Sequence, residues 1–138
     1  MGVALTQRPD LYAGLAIGVP LLDMLRYHEL LAGASWVEEY GDPEKPKERA
    51  VLEAYSPYQN LSKKKKYPTP FFFTSTKDDR VHPGHARKMA ARMDEYGLDF
   101  LYYENIEGGH GAAANLKQAA YRSALQYAYF SERLNLKD

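Results

Sequence analysis

The sequence predicts an α/β domain whose short parallel sheet, of about three strands, is covered by helices in three layers. Three apolar or β-branched runs have the length and the continuous hydrophobicity of buried parallel strands. Helical patterns separate these runs, and such alternation favours right-handed crossovers between parallel strands. The chain has 138 residues, of which 45% are hydrophobic and 26% charged. These values are typical of one soluble globular domain, so we expect residues 1–138 to form a single domain.

The first half of the chain is predicted to supply one strand and three helical segments. Residues 2–7 have the pattern of the last turns of a helix. Residues 13–19 are apolar and are followed by a proline, which predicts the first strand. Apolar residues recur at helical spacing over residues 21–31, which predicts a short amphipathic helix. After a turn-rich, exposed excursion over residues 35–47, residues 48–55 are predicted as another helical stretch.

The second half of the chain is predicted to supply two strands and two longer helices. Residues 70–76 are rich in aromatic and β-branched side chains, as expected of a central parallel strand. A crossover helix is predicted to begin near Pro83 and to end at Gly97. Residues 99–105 are the third predicted strand, and residues 115–134 form a long closing helix.

Asp78 and His110 follow the second and the third predicted strand. The carboxyl ends of parallel strands lie at one edge of a sheet, so the two side chains can meet there. Acid before histidine is also the chain order of α/β-hydrolase triads, in which the acid holds the imidazole tautomer and the histidine transfers protons. Position alone equally allows Asp78 to be a helix-capping turn residue and His110 to be a loop residue between turn-forming glycines.

Longer segments around these residues resemble the acid and histidine segments of the prolyl oligopeptidase family of serine peptidases. They are residues 78–86 (DDRVHPGHA) and 107–111 (EGGHG), and residues 56–60 (SPYQN) resemble another recurring segment of that family. The resemblance covers essentially the whole chain and matches the C-terminal half of the catalytic domain. It implies a partial α/β-hydrolase fold, with Asp78 as the triad acid and His110 as the triad base. We expect neither a cofactor nor a metal.

The resemblance also implies substrate-binding residues. Arg80 would bind a substrate carbonyl near the scissile bond, although it is also placed to form a weak surface ion pair with its neighbouring aspartates. Tyr55 matches the tyrosine of the family's proline pocket, whereas Val51 stands in place of the tryptophan of that pocket. Without this flat ring, we expect a peptide specificity broader than a strict preference for proline. Trp36 is another possible source of a ring, but a lone tryptophan more often belongs to the core or its rim.

The nucleophile of the family, a serine in a glycine-rich elbow, would fall just before Met1. None of the serines in this chain lies in a Gly-x-Ser-x-Gly setting; they are Ser35, Ser56, Ser62, Ser75, Ser123 and Ser131. Loss of the nucleophile removes a factor of roughly a million from the rate of a serine protease. We therefore expect a peptidase fragment that is inactive alone and needs an upstream segment, in cis or in trans, to act on a peptide.

The alternative is a non-catalytic remnant that serves only folding and assembly. In such a remnant, residues 13–19 would form an apolar edge strand, and exposed edges recruit other chains. We therefore expect a homo-oligomer, for example a dimer in which two such strands pair across a two-fold axis.

Charge and composition exclude several other classes of function. Lys plus Arg and Asp plus Glu each number 18, and this neutral balance favours neither nucleic acid nor a membrane as a partner. The run of lysines at residues 63–66 is typical of a solvated loop. The absence of cysteine excludes disulfides and thiolate sites, and the lack of an export signal predicts a cytoplasmic location. His82 and His85 have a metal-like spacing, but Pro83 and Gly84 separate them at a loop-to-helix junction.

Overall fold

The computed structural model describes residues 1–136, which are organised around one parallel sheet of three strands in the order β1-β2-β3. The strands are β1 (Ala16–Gly18), β2 (Phe71–Ser75) and β3 (Leu101–Asn105). Ala16 pairs with Phe71, and β2 pairs with β3 over its whole length, from Phe71 opposite Leu101 to Ser75 opposite Asn105. The predicted strands and their parallel arrangement are confirmed, although β1 is shorter than predicted.

Six α-helices accompany the sheet within the described residues. They are α1 (Gly2–Gln7), α2 (Val37–Tyr40), α3 (Pro46–Tyr55), α4 (Pro57–Asn60), α5 (Gly84–Glu95) and α6 (Leu116–Arg133). Short 3-10 helices cover Pro9–Leu11, Tyr27–Glu29 and Leu31–Trp36. Between residues 1 and 136, none of the helices combines the length and the hydropathy that crossing a membrane requires.

The structure has three layers, because alternate side chains of β2 pack against helices on opposite faces of the sheet. Phe72 is completely buried on one face, where Ile17 of β1, Leu5 of α1 and Met89 and Met93 of α5 join it in the main core cluster. A strand that is covered on both faces reads as a continuous apolar run, and residues 71–73 have that composition. The apolar run in the sequence is therefore explained by helices on both sides of β2.

The opposite face of β2 is covered by α6. The ring of Phe71 lies 5.7 Å from the ring of Tyr129, centroid to centroid. The hydroxyl of Tyr129 accepts a hydrogen bond from the amide of Leu15 at 2.7 Å and donates one to the carbonyl of Thr69 at 2.8 Å. A single α6 side chain thus holds the segments that lead into β1 and β2.

The predicted helix over residues 21–31 is wrong. In its place the chain makes turns, followed by the 3-10 helices Tyr27–Glu29 and Leu31–Trp36. The backbone amides that a helix would use internally bond instead to distant side chains. The amide of Asp23 donates to Nδ1 of His85 at 3.1 Å, and the amide of Met24 donates to Oγ of Ser56 at 2.9 Å. These tertiary hydrogen bonds outweigh the helical periodicity.

The SPYQN segment at residues 56–60 belongs to the same buried polar network. Its Gln59 donates to Oδ1 of Asp23 at 2.8 Å, and Lys88 of α5 pairs with the other oxygen of that carboxylate. Burial works against the charge of Asp23, but the hydrogen bonds from Lys88 and Gln59 hold its pKa below the usual value. The buried carboxylate of Asp23 therefore connects residues 56–60 to α5.

His85 is held neutral inside this network. It is almost fully buried, and its Nδ1 accepts hydrogen bonds from backbone amides, so it has no room for a second proton there. Burial is the largest cause that lowers the pKa of His85 to about 4, and Lys88 and His82 add to it against the opposing charge of Asp23. Between its usual pKa of 6.5 and about 4, the unfolded chain binds a proton that the folded chain does not.

We therefore expect the free energy of unfolding to decrease as the pH falls from about 6.5 to about 4, by up to roughly 3 kcal/mol from this residue. His85→Asn keeps an acceptor near the amides but cannot titrate, so it should flatten this part of the pH profile. Urea unfolding followed by circular dichroism at stepped pH measures the effect. His82→Asn leaves the buried ring intact and removes only the smallest of the causes that lower its pKa, so it should retain most of the wild-type slope. Equal slopes in wild type and His85→Asn would contradict the assignment.

Candidate active site

Asp78 lies in the turn that follows β2, and its side chain is completely buried. Its Oδ1 accepts hydrogen bonds from the amides of Arg80 at 2.9 Å and Val81 at 3.0 Å. The carboxylate thus closes its own turn and does not cap α5, whose N-cap residue is Pro83. These amide donors fix the orientation of the carboxylate and compensate for its removal from water.

His110 meets this carboxylate from the loop after β3. Its Nδ1 lies 3.0 Å from Oδ1 and 3.1 Å from Oδ2 of Asp78. The side chain of His110 remains 34% exposed, and within residues 1–136 its Nε2 makes no hydrogen bond. A hydrogen on Nδ1, donated to Asp78, leaves Nε2 as a free base that faces away from the carboxylate. This is the arrangement that a general base and acid requires.

The start of the His110 loop is held by hydrogen bonds to its backbone. Oδ1 of Asn105 accepts from the amides of Glu107 at 2.9 Å and Gly108 at 2.7 Å. The hydroxyl of Ser75, at the end of β2, contacts the carbonyls of Asn105 and Gly108. Ser75, at the end of β2, therefore anchors the loop that follows β3.

The glycines around His110 differ in what they allow. A Cβ on Gly108 would lie 2.6 Å from the backbone nitrogen of Ala113, so that position requires glycine. A Cβ on Gly111 would meet nothing within 4 Å. The positive φ in this loop, 52°, belongs to Ala112 and not to one of these glycines. Close backbone approach, and not left-handed geometry, explains the glycine at position 108.

Thr76 and Glu104 reinforce the same edge of the sheet. The carboxylate of Glu104 accepts from the hydroxyl of Thr76 at 2.6 Å, from Tyr102 at 2.7 Å and from Arg87 of α5. Hydrogen bonds from Arg87 are the largest cause that lowers the pKa of Glu104 to about 2, although partial burial opposes it. Glu104 is therefore ionised at neutral pH and ties the turn containing Asp78 to β3 and α5.

A cavity of about 260 Å³ opens beside His110. Arg80 and Val81 line it from the turn of Asp78, and Trp36 and Tyr40 line it from the turn-rich excursion. Arg80 forms no ion pair with another of the described residues, so its cation is free to meet a ligand in this space. Periodicity in the sequence does not indicate Tyr40, because it lies in a short helix within the excursion.

The structure does not bring Val51 and Tyr55 into this cavity. Both lie on α3, where Val51 is 62% exposed. Tyr55 packs against the second core cluster, formed by Met24, Tyr27 and Leu52, and burial is the largest cause that raises its pKa. Val51 and Tyr55 therefore do not line the cavity beside His110 and Arg80.

His82 and His85 do not converge on a common point through their Nδ1 atoms. Nδ1 of His82 accepts from the amide of Gly84 at 2.9 Å, while Nδ1 of His85 accepts from the amides of Leu22 and Asp23. The His82 ring thus binds the backbone at the start of α5. The His85 ring binds the backbone of the segment that packs against α5.

A parallel sheet that places an aspartate and a histidine in contact after neighbouring strands is the arrangement of the acid and the histidine in α/β-hydrolases. Comparison with known protein families matches residues 1–137 to the prolyl oligopeptidase family. The chain therefore belongs to the prolyl oligopeptidase family.

Individual relatives support the same family. An uncharacterized peptidase from Sinorhizobium fredii is 58% identical over 134 residues, which cover 97% of this chain and 18% of that protein. A prolyl endopeptidase from Dictyostelium discoideum is 35% identical over 99% of this chain and 19% of that protein. The solved structure of a post-proline cleaving enzyme from Rickettsia typhi matches 99% of this chain and 20% of its own, with 41% identity and a TM-score of 0.95. The chain thus spans about a fifth of the length of these relatives.

The different surroundings of Gly108 and Gly111 allow a matched test of the loop. Gly108→Ala should lower the free energy of unfolding by about 1–3 kcal/mol, because the new methyl group overlaps the backbone of Ala113. Gly111→Ala adds the same group in open space and should change stability by less than about 0.5 kcal/mol. Chemical unfolding of both variants measures the difference, and equal stabilities would show that the loop backbone is not tightly packed at residue 108.

Proposed function

We propose that this chain provides the acid and the base of a serine peptidase active site in the prolyl oligopeptidase family. The supporting observation is the contact of Nδ1 of His110 with both oxygens of the buried Asp78. In the proposed reaction, Nε2 of His110 removes the proton of a serine hydroxyl as that oxygen attacks the peptide carbonyl. Asp78 stabilises the resulting imidazolium, and His110 then gives the proton to the departing amine.

The nucleophile in this proposal comes from a segment outside the chain, supplied in cis or in trans. The serines of the chain stand outside the Gly-x-Ser-x-Gly setting, and the relatives are about five times longer than the matched region. The nucleophile must reach hydrogen-bond distance of Nε2, about 2.6–3.2 Å, for proton transfer to occur. The partly exposed ring of His110 leaves room for that approach.

The proposed substrate is a peptide bound in the cavity beside His110. Arg80 supplies a cation for a substrate carbonyl, and Trp36 and Tyr40 supply aromatic walls. The names of the relatives refer to cleavage next to proline in those proteins. For this chain we propose a wider specificity, because Val51 replaces the family's tryptophan and lies on an exposed face of α3.

A serine-reactive phosphonate probe tests this proposal. The chain alone should not be labelled, whereas the chain joined to a segment with the glycine-rich serine elbow should be labelled and should cleave peptides. In that joined protein, Asp78→Asn should lower kcat by about 10⁴-fold, because the imidazole loses the partner that fixes its tautomer. Asp79→Asn, a matched change at the exposed neighbouring aspartate, should leave kcat within about twofold of wild type. Full activity in Asp78→Asn would sink the proposal.

A second candidate function, assembly without catalysis, is favoured by one observation. Within residues 1–136, β1 pairs only with β2, so its other edge has no strand partner. A cavity of about 270 Å³, lined by residues that include Met1, Ile17 and Leu22, lies along this edge. An unpaired edge can add a strand from a second copy of the chain.

Light scattering at micromolar concentration tests the assembly candidate. It predicts a dimer or a larger oligomer of the chain alone, and joining the chain to its serine-bearing segment should yield no probe labelling. A monomeric mass would rule out assembly through β1, and probe labelling of the joined protein would favour the peptidase.

A further inference from the structure

The first turns of α6 hold the loop that carries His110. Gln118 and Arg122 lie one helical turn apart on α6, so they project from the same face. Oε1 of Gln118 accepts from the amide of Ala114 at 2.6 Å and from Nδ2 of Asn105 at 3.0 Å. A guanidinium nitrogen of Arg122 donates to the carbonyl of Gly111. Gln118 thus binds the two ends of the loop, and Arg122 binds it next to His110.

Arg122 reaches this carbonyl from a position against the sheet. The central carbon of its guanidinium lies 6.0 Å from the centre of the Phe73 ring, at the outer limit of a cation–π contact. The Phe73 ring itself packs against Gly18, where it occupies the space that a Cβ would need. The side chain of Arg122 therefore connects β2 to the loop beyond β3.

The surroundings of Arg122 do not explain it as a stabilising ion pair. Its Nε is buried and has no hydrogen-bond partner in the described part of the chain, and no carboxylate pairs with it there. Burial of part of a cation without an acidic partner costs free energy. The contact with Gly111 is consequently the specific interaction that this arginine makes.

Next to His110, the backbone at Gly109 and Gly111 is less closely packed than the rest of the loop. A Cβ on Gly109 would meet only the carbonyl oxygen of Lys77, at 3.8 Å, and one on Gly111 would meet nothing within 4 Å. The backbone bond from the amide of Ala112 to the carbonyl of Gly109 closes the turn but does not attach it to the rest of the protein. Arg122 therefore supplies the side-chain hydrogen bond that reaches the backbone directly after His110.

We propose that Arg122 is a positioning residue for the candidate base. By holding the carbonyl of Gly111 it keeps Nδ1 of His110 against Asp78 and keeps Nε2 directed away from that carboxylate. Arg122 touches neither the reacting atoms nor the cavity, so its effect passes entirely through the loop. The catalytic consequence rests on the proposed peptidase function, whereas the effect on the Asp78–His110 contact does not.

Arg122→Gln tests the positioning role, and Arg133→Gln is the matched control. Arg133 lies on the same helix and also has a buried Nε without a hydrogen-bond partner in the described chain, but it pairs with Glu132 and packs near Gly14. The readout is the downfield NMR resonance of the proton on Nδ1 of His110, observed in the chain itself. Arg122→Gln should accelerate solvent exchange of this proton by roughly tenfold or more, the change expected when a hydrogen bond from a charged donor is lost.

Arg133→Gln should leave the exchange rate of this proton within about twofold of wild type, even where it lowers thermal stability. Arg122→Lys retains one donor for the Gly111 carbonyl and should restore part of the protection, and it keeps the test usable where Arg122→Gln does not fold. Unchanged exchange in Arg122→Gln, equal acceleration in both Gln variants, or no difference between Arg122→Lys and Arg122→Gln would overturn the proposal.

The same variants can be assayed in the chain joined to its serine-bearing segment. Arg122→Gln should lower kcat by about 10- to 100-fold with KM within about twofold of wild type, because a displaced base slows the chemical step and leaves peptide binding intact. A proportional rise in KM without loss of kcat would contradict the positioning role. Absence of activity in the wild-type joined protein would refute the peptidase function, and the NMR measurement would still decide the role of Arg122.

Discussion

The in-register parallel pairing of β2 with β3 brings the acid and the base of the candidate site together. Because Ser75 is opposite Asn105, the two strands end at the same level and their following turns begin side by side. The amide of Thr76 continues the ladder to the carbonyl of Asn105 at 2.8 Å, so the alignment extends beyond the strands. A slip of one residue would exchange the faces of β2 and separate the Asp78 turn from the His110 loop.

Side-chain hydrogen bonds to the backbone, more than apolar contacts, fix the parts of the chain that lack regular structure. His85 and Ser56 accept hydrogen bonds from backbone amides of residues 22–24. Asn105 accepts hydrogen bonds from amides of the His110 loop, and Asp78 accepts them from amides of its own turn. Each acceptor satisfies buried donors that neither a helix nor the sheet would use. Residues 22–24 lead into the segment whose Trp36 and Tyr40 line the cavity, so this network also shapes the proposed substrate site.

The elements that the sequence predicted well are those in which local pattern and tertiary packing agree. Residues 70–76 read as a strand buried on both faces, and Phe72 and Phe71 do face different helical layers. The helical periodicity of residues 21–31 failed because its competitors, His85 and Ser56, are far away in the sequence. The contact of Arg122 with the carbonyl of Gly111 could not be predicted either, since one arginine on a long helix belongs to no motif. Long-range hydrogen bonds are the information that a one-dimensional pattern lacks.

The contacts that hold the acid and the base together all come from one continuous stretch of this chain. Ser75, Asp78, Asn105 and Gln118 mark its course, from the end of β2 to the first turns of α6. None of these hydrogen bonds uses Nε2 of His110, the atom that a serine would approach. The proposed pair is therefore preorganised before the nucleophile arrives, and a segment that presents a serine need only be positioned against a base that is already oriented.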